Sequence, residues 1–326
     1  MNLLVTSAGR RVKVIQYFKQ SLSKIKGNVI ATDCDINAPA LYFADKFEIV
    51  PRINENNYIS ILLNLCKKHN IKGIVSLIDP ELELLAENRS KFEEQGIVLI
   101  LSPLEMVKFS FDKQQTYDYL CELGIPGVPT YSDINLVLSL LNEGKLNYPL
   151  VIKPGKGSAS IGLNIVNDEV ELLNIFNRED DLIVQPFFKD KEFGIDVYID
   201  MLSGDLVDLF IKEKINMRAG ETDKSVSVKN IEIESLVKDL ISKTNFTGPI
   251  DIDCFEYDGG YYISEINPRF GGGYPHACEM GCNFMEYIVN NLNEIENSPY
   301  DGFKYNSGYI MMKYDDVKII KKPLEF

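Results

Sequence analysis

In the N-terminal part of the chain, short apolar runs alternate with longer amphipathic stretches. Asn2-Leu3-Leu4-Val5-Thr6-Ser7 reads as a buried strand, Val12 to Lys24 as an amphipathic helix, and Asn28-Val29-Ile30-Ala31-Thr32-Asp33 as a second strand ending in an acid. Phe47–Val50, a helix at Tyr58–His69, Ile74–Leu77, a helix at Glu81–Gln95 and Ile97–Leu101 continue the alternation. Strand and helix in turn predict a parallel, doubly wound α/β unit. The turn Ser7-Ala8-Gly9-Arg10-Arg11 lacks G-x-G-x-x-G, so it makes a weak dinucleotide site, and Asp33 reads as substrate-facing or structural.

A second unit starts near Ser102-Pro103. Asp112 is placed to cap a helix that stops at Gly124-Ile125-Pro126, and Asp168–Asn177 predicts another helix. Tyr148–Pro154, Leu163–Val166, Leu182–Phe188, Glu192–Asp200 and Leu206–Glu213 predict strands. Met217–Lys224, of mixed charge, reads as a solvated loop; Glu232–Thr244 reads as a helix and Ser307–Lys313 as a last strand.

The most chemical stretch is Asp251–Gly273. Two half-buried strands meet at Asp258-Gly259-Gly260, a hairpin signal. Alternation sends Glu265 and Asn267 to one face, and pairing can bring Asp253 opposite them. Three hard oxygen ligands then converge, a magnesium-type set that also holds substrate phosphates. Arg269 repeats the same face and aims a positive charge at those phosphates. Carboxylates near a hairpin are often merely solvated, but here Ile, Phe and Tyr alternate with them, and buried charge needs a partner or a metal.

Gly155–Gly162 lies between two strands, and its glycines and serines (Gly157, Ser158, Ser160) allow backbone N–H groups to approach phosphate oxygens. A flexible hairpin tip fits the same composition; Lys153, in an otherwise apolar strand just before the loop, favours an anion. Gln185, Pro186, Phe187 and Phe188 are apolar enough to wall an adenine, although an ordinary buried strand reaching a proline bend reads the same way. Glu192 is the candidate for ribose hydroxyls. Lys113 at a helix start and Lys212 on the following strand are further cationic candidates.

The formal net charge of −14 argues against a general affinity for nucleic acid. No apolar run approaches the roughly 20 residues of a membrane span, so no membrane is expected and the cytoplasm is the expected location. The six cysteines form no CxxC pair and read as reduced thiols. Cys278 and Cys282 beside His276 suggest zinc, but no fourth ligand is evident.

Lys113 in Asp-Lys-x-x-Thr followed by Gly-Ile-Pro, Val151-Ile152-Lys153-Pro154 before a Gly/Ser loop, Glu192, and Asp253 with Glu265-x-Asn267-Pro268-Arg269 together resemble the ATP-grasp superfamily. The branch they resemble includes the carbamoyl-phosphate synthase large subunit and biotin carboxylase. The resemblance implies an α/β fold in three parts. These are a Rossmann-like pre-ATP-grasp domain (1–103), a small lid subdomain (104–187) and a C-terminal α+β metal-binding subdomain (188–326). It implies that Lys113, Lys153 and Lys212 serve ATP, that Asp253, Glu265 and Asn267 bind Mg2+ (or Mn2+), and that Arg269 and Lys153 act in catalysis. There is a single grasp unit and no biotin acceptor motif.

The implied function is an ATP-dependent carboxylate–amine ligase working through an acyl phosphate, on small-molecule carboxylate and amine substrates. The alternatives are other phosphoryl chemistry on the same scaffold, a synthase subunit needing a partner chain, and a non-catalytic ATP sensor. Ser7, Gly9, Arg10, Asp79, Glu81, Arg218, Gly272 and His276 are the candidate substrate residues, and a homodimer is compatible with this reading.

Overall fold

The computed structural model describes residues 1–157 and 162–321. Its first sheet is wholly parallel: β1 (Asn2–Thr6), β2 (Asn28–Asp33), β3 (Lys46–Ile49), β4 (Ile71–Ser76) and β5 (Val98–Leu99), in the order β3-β2-β1-β4-β5. The order reverses between β1 and β4, and in open α/β sheets ligands enter the crevice at that reversal. The loops leaving these two strands, Ser7–Arg11 and Leu77–Asp79, both line one cavity there. Asp33 is structural: its carboxylate accepts from Gly9 N (2.7 Å) and Asp35 N (2.9 Å), ordering the first loop.

The expected helix at 81–95 begins earlier and is broken. Asp79–Glu87 starts with Pro80 in its first turn, where the missing N–H costs nothing. Asn88 leaves helical geometry (φ −103°, ψ 13°) before Arg89–Glu93 resumes.

Three antiparallel strands, β6 (Leu150–Pro154), β7 (Asn164–Val166) and β8 (Leu182–Pro186), form a small sheet in the order β7-β6-β8. Val137 and Leu172 from helices Ile134–Asn142 and Glu169–Phe176 share its core. Asp112 and Asp168 cap their helices as expected, accepting from Gln114 N and Gln115 N and from Glu171 N.

The third sheet is antiparallel and six-stranded: β9 (Glu192–Ile199), β10 (Leu206–Arg218), β11 (Glu221–Val228), β12 (Gly248–Tyr257), β13 (Gly260–Asn267) and β14 (Ile310–Met312). Their order is β13-β12-β9-β10-β11-β14. β10 outruns its expected end, and β11 begins within the stretch read as a solvated loop. Two serines of β11 are satisfied internally: Ser227 Oγ donates to Asn306 O (2.7 Å), and Ser225 Oγ meets His276 Nδ1 (2.8 Å). Tertiary partners override low strand propensity here.

One apolar cluster joins the first and third sheets. Phe18 of helix Val12–Ser23 packs edge-on against Phe270 (5.9 Å between centroids), alongside Tyr198, Tyr274 and Phe284. The reversal crevice is thereby held facing β9–β13.

Candidate active site

The metal-type pattern is realised by register. Asp253 on β12 is the Cα partner of Glu265 on β13, and Asp251 is the partner of Asn267. Directly opposed residues share a face, so all four side chains converge. A bulge follows immediately, after which Cys254 pairs with Ile263. Neither the Glu265 carboxylate nor the Asn267 amide makes a side-chain hydrogen bond among the described residues, and both line the cavity. Burial pushes Glu265 up from its ordinary value against the pull of Lys113. Two carboxylates and an amide oxygen suit a hard cation, so these residues fit magnesium. Among the described residues no three His, Cys, Asp or Glu side chains form a metal cluster, and His276 contacts Ser225 instead.

Two cavities meet at this point, and both are lined by Glu192 and Lys214. The larger, about 680 Å³, is walled by Val128, Val151, Lys153, Leu163, Phe255 and the run Gln185–Glu192. Phe188 stacks on Tyr257 (4.3 Å, 10°), and Gln185 Nε2 donates to Thr130 Oγ1 (2.8 Å). An apolar slot with adjacent backbone edges is suited to a purine base. Lys113 Nζ donates to Gly157 O (2.6 Å), and Lys113 N to Gly155 O (2.9 Å), pinning the start of the glycine loop. Lys153 makes no side-chain hydrogen bond among the described residues. Burial lowers its pKa, with Glu265 opposing. Ser158 and Ser160 lie outside the described residues.

The smaller cavity, about 360 Å³, is lined by Ser7–Arg11, Asp79, Met217, Ala219–Thr222, Asp251, Asp253, Glu265, Asn267, Arg269 and Gly272. Its charges are largely paired. Lys214 Nζ bridges Glu192 (2.7 Å) and Asp253 (2.6 Å). Arg269 Nη2 donates to Asp79 Oδ2 (2.8 Å), and Nη1 lies 3.8 Å from Asp251. Burial, then the neighbouring Asp253, raises the Asp251 carboxyl to about 7. The three glycines after Phe270 give these chains room. A Cβ at Gly271 would lie 2.3 Å from the Asp251 carboxyl carbon, one at Gly272 2.7 Å from Glu221 Cγ, and one at Gly273 2.4 Å from Lys212 Cε.

Four expected site residues stand elsewhere. Lys212 is fully buried in an ion pair with Asp196 (2.5 Å) and lines neither cavity. Lys214, two residues on and on the same face, takes the position expected of it. Gly194 has no side chain to block the two lysines: a Cβ there would meet Lys212 Cε at 3.1 Å and Lys214 Cε at 3.3 Å. Arg218 points away, pairing with Asp223 (3.0 Å) and Asp315 (3.1 Å). Glu81 is buried beneath the cavity, where its carboxylate accepts from Ser7, Ser76 and Tyr58, so it positions Ser7. His276 is buried against Phe210, its Nε2 without a partner among the described residues. Lys214, Asp251 and Glu221 were not singled out from sequence, and Arg11 entered only as the end of the Ser7–Arg11 turn expected to meet substrate. The period-2 alternation used for Glu265 and Asn267, applied along β12 and β10, would also mark Asp251 and Lys214, whereas nothing local marks Glu221.

A model of the ATP-grasp domain matches residues 111–273, half of the chain, and a model of the PylC-like N-terminal domain matches residues 3–100. The chain belongs to the ATP-grasp family. It is 22% identical over 267 residues to the carbamoyl phosphate synthase large chain of Clostridium beijerinckii, matching 77% of this chain and 23% of that one. The chain thus spans about a quarter of the length of that relative. It is 29% identical over 233 residues to the D-alanine–D-alanine ligase of Campylobacter concisus (64% of this chain, 62% of the relative).

Among solved structures, the biotin carboxylase domain of Hydrogenobacter thermophilus 2-oxoglutarate carboxylase, crystallised with MgADP and bicarbonate, superposes with a TM-score of 0.73. The two are 16% identical, covering 94% of this chain and 73% of that one. The L-amino acid ligase of Bacillus licheniformis superposes with a TM-score of 0.67 at 20% identity (89% and 74% covered). These likenesses carry the ATP-grasp fold. Among the described residues, no helix is long and apolar enough to cross a membrane.

Proposed function

We propose that the chain is a magnesium-dependent, ATP-consuming carboxylate–amine ligase that works through an acyl phosphate. The observation that carries this reading is the junction of the two cavities, where Asp253 pairs across the strands with Glu265 and Asp251 with Asn267, while Lys153 and Glu265 make no side-chain hydrogen bond among the described residues.

ATP would occupy the larger cavity, its base against Gln185–Phe188 and its ribose hydroxyls near Glu192. Lys113, Lys153 and the loop at Gly157 would meet its phosphates. Asp253, Glu265 and Asn267 would hold magnesium, which neutralises the phosphate oxygens; manganese suits the same donors. The carboxylate substrate belongs in the smaller cavity, across the Glu192–Lys214 bridge. Its oxygen forms a bond to the γ-phosphorus while the bond to the ADP oxygen breaks, and Arg269 and Lys153 offset the charge that develops. An amine nitrogen then bonds to the carbonyl carbon, phosphate departs, and one amine proton is released. Exclusion of water from the site would protect the acyl phosphate.

The test is ADP release from MgATP over pooled carboxylates, with and without amines, beside Glu265→Gln. Hydroxylamine is added to acid-only reactions to trap the acyl phosphate as a hydroxamate. Release that requires an acid, yields a hydroxamate and vanishes in the variant supports the ligase. Release that is indifferent to acids, or no release while MgADP binds, sinks it.

A further inference from the structure

The smaller cavity is electrically polarised. At its metal end Lys214 and Arg269 are outnumbered by Glu192, Asp253, Asp79, Asp251 and Glu265. At the opposite end, under the β10–β11 hairpin, the imbalance is reversed. One carboxylate, Glu221, is ringed by Arg10 Nη2 (3.3 Å), Arg11 Nε (3.4 Å) and Lys313 Nζ (2.9 Å). Although burial opposes it, Arg11, Lys313 and Arg10 hold Glu221 below its usual value.

The hairpin is built to make this contact. Ala219 and Gly220 adopt positive φ (50° and 75°), which turns the chain back tightly. Ala219 O then accepts from Arg10 Nη2 (3.2 Å), and Glu221 passes over the Cβ-free Gly272.

Arg11 is the informative member. Its side chain is only 18% exposed and lines the cavity, yet its guanidinium makes no hydrogen bond among the described residues. A guanidinium carries five donors in a fork suited to carboxylate or phosphate. Here they have one long ionic contact and face open cavity. The residue also precedes helix Val12–Ser23, whose first turn has no side-chain cap and no acid, so the helix end adds positive potential.

We propose that Arg11, supported by Arg10 and Lys313, binds a second anionic group on the substrate, carboxylate or phosphate, remote from the carboxylate that is activated. Glu221 is the internal carboxylate that this group displaces or shares. The substrate is therefore at least a dianion before activation. The proposal rests on the ligase reading for the opposite end of the cavity.

The full chain saturated with MgADP is titrated with paired probes: glutarate against butyrate, and 3-phosphoglycerate against glycerate. The two-anion probe of at least one pair binds roughly tenfold or more tightly than its one-anion counterpart. Which pair shows the difference tells carboxylate from phosphate. Arg11→Met abolishes the preference, Arg11→Lys restores part of it, and Glu221→Gln widens it. Equal binding within both pairs, no binding by any probe, or a preference that survives Arg11→Met overturns the proposal. MgADP affinity, measured before the acids are added, reports the nucleotide site separately and confirms that each variant is folded.

Discussion

The larger cavity takes half of its lining from one continuous run, Gln185 to Glu192, with pairs of residues from β6, β10 and β12 around it. It offers apolar faces, backbone edges and Lys153, which has no side-chain hydrogen bond among the described residues. The smaller cavity draws on the β1 and β4 loops, the β10–β11 hairpin, β12, β13 and the glycine run. Its floor is a lattice of ion pairs, Lys214 between Glu192 and Asp253 and Arg269–Asp79, with the fully buried Lys212–Asp196 pair behind the lining. The contrast separates two uses of buried charge. Charge already paired in the protein holds the architecture, and charge left without a partner is available to a ligand.

Lys212→Met probes the paired class most severely. It leaves Asp196 as an uncompensated buried acid, which costs about 3–5 kcal/mol. The urea midpoint falls while MgADP binding under native conditions persists; unchanged stability with lost nucleotide binding would erase the distinction. Glu265→Gln should show the opposite profile. ADP release falls by roughly 10²–10³-fold, as expected when preorganised charge is removed from a reacting phosphate. The unfolding midpoint holds or rises, because burial already disfavours that carboxylate.

Gly271→Ala tests whether the ion-pair floor tolerates crowding. Its Cβ would meet the Asp251 carboxylate at 2.3–2.5 Å, a clash costing about 1–3 kcal/mol. Adding Asp251→Ala should recover most of that loss, a non-additivity readable in a double-mutant cycle. Additive losses would show that the glycine serves something else.

The smallest effect is that of His276. Burial, then Lys212, lowers its pKa from 6.5 to about 4. Between those values the unfolded chain takes up a proton that the native state refuses, so acid favours unfolding. The stability contributed by His276 is complete above pH 6.5 and is lost as pH falls towards 4. His276→Gln flattens that limb in acid-denaturation curves, and an unchanged limb would place the sensitivity elsewhere.

The same contrast decides what could be read from the sequence. The lining of the larger cavity was legible because its groups are local: Lys153 precedes its loop, and Gln185–Phe188 is one run. The Asp253, Glu265 and Asn267 set was legible because hairpin pairing follows from a tight turn and strand alternation. Lys212 was misplaced because a strand pattern gives the face and not the depth, and two residues separate a fully buried lysine from one at the cavity. β11 was hidden because Ser225 and Ser227 are satisfied by His276 and Asn306, far along the chain. Arg11 and Glu221 meet across the interface between two sheets, and no spacing rule connects them.

The most direct test of the account is ADP affinity with and without magnesium, in the unmodified chain and in Glu265→Gln. Magnesium is expected to tighten ADP binding by roughly tenfold or more, as metal-bridged phosphates require, and the variant to lose this gain. Equal affinity with and without magnesium, or a gain untouched by the substitution, would contradict it.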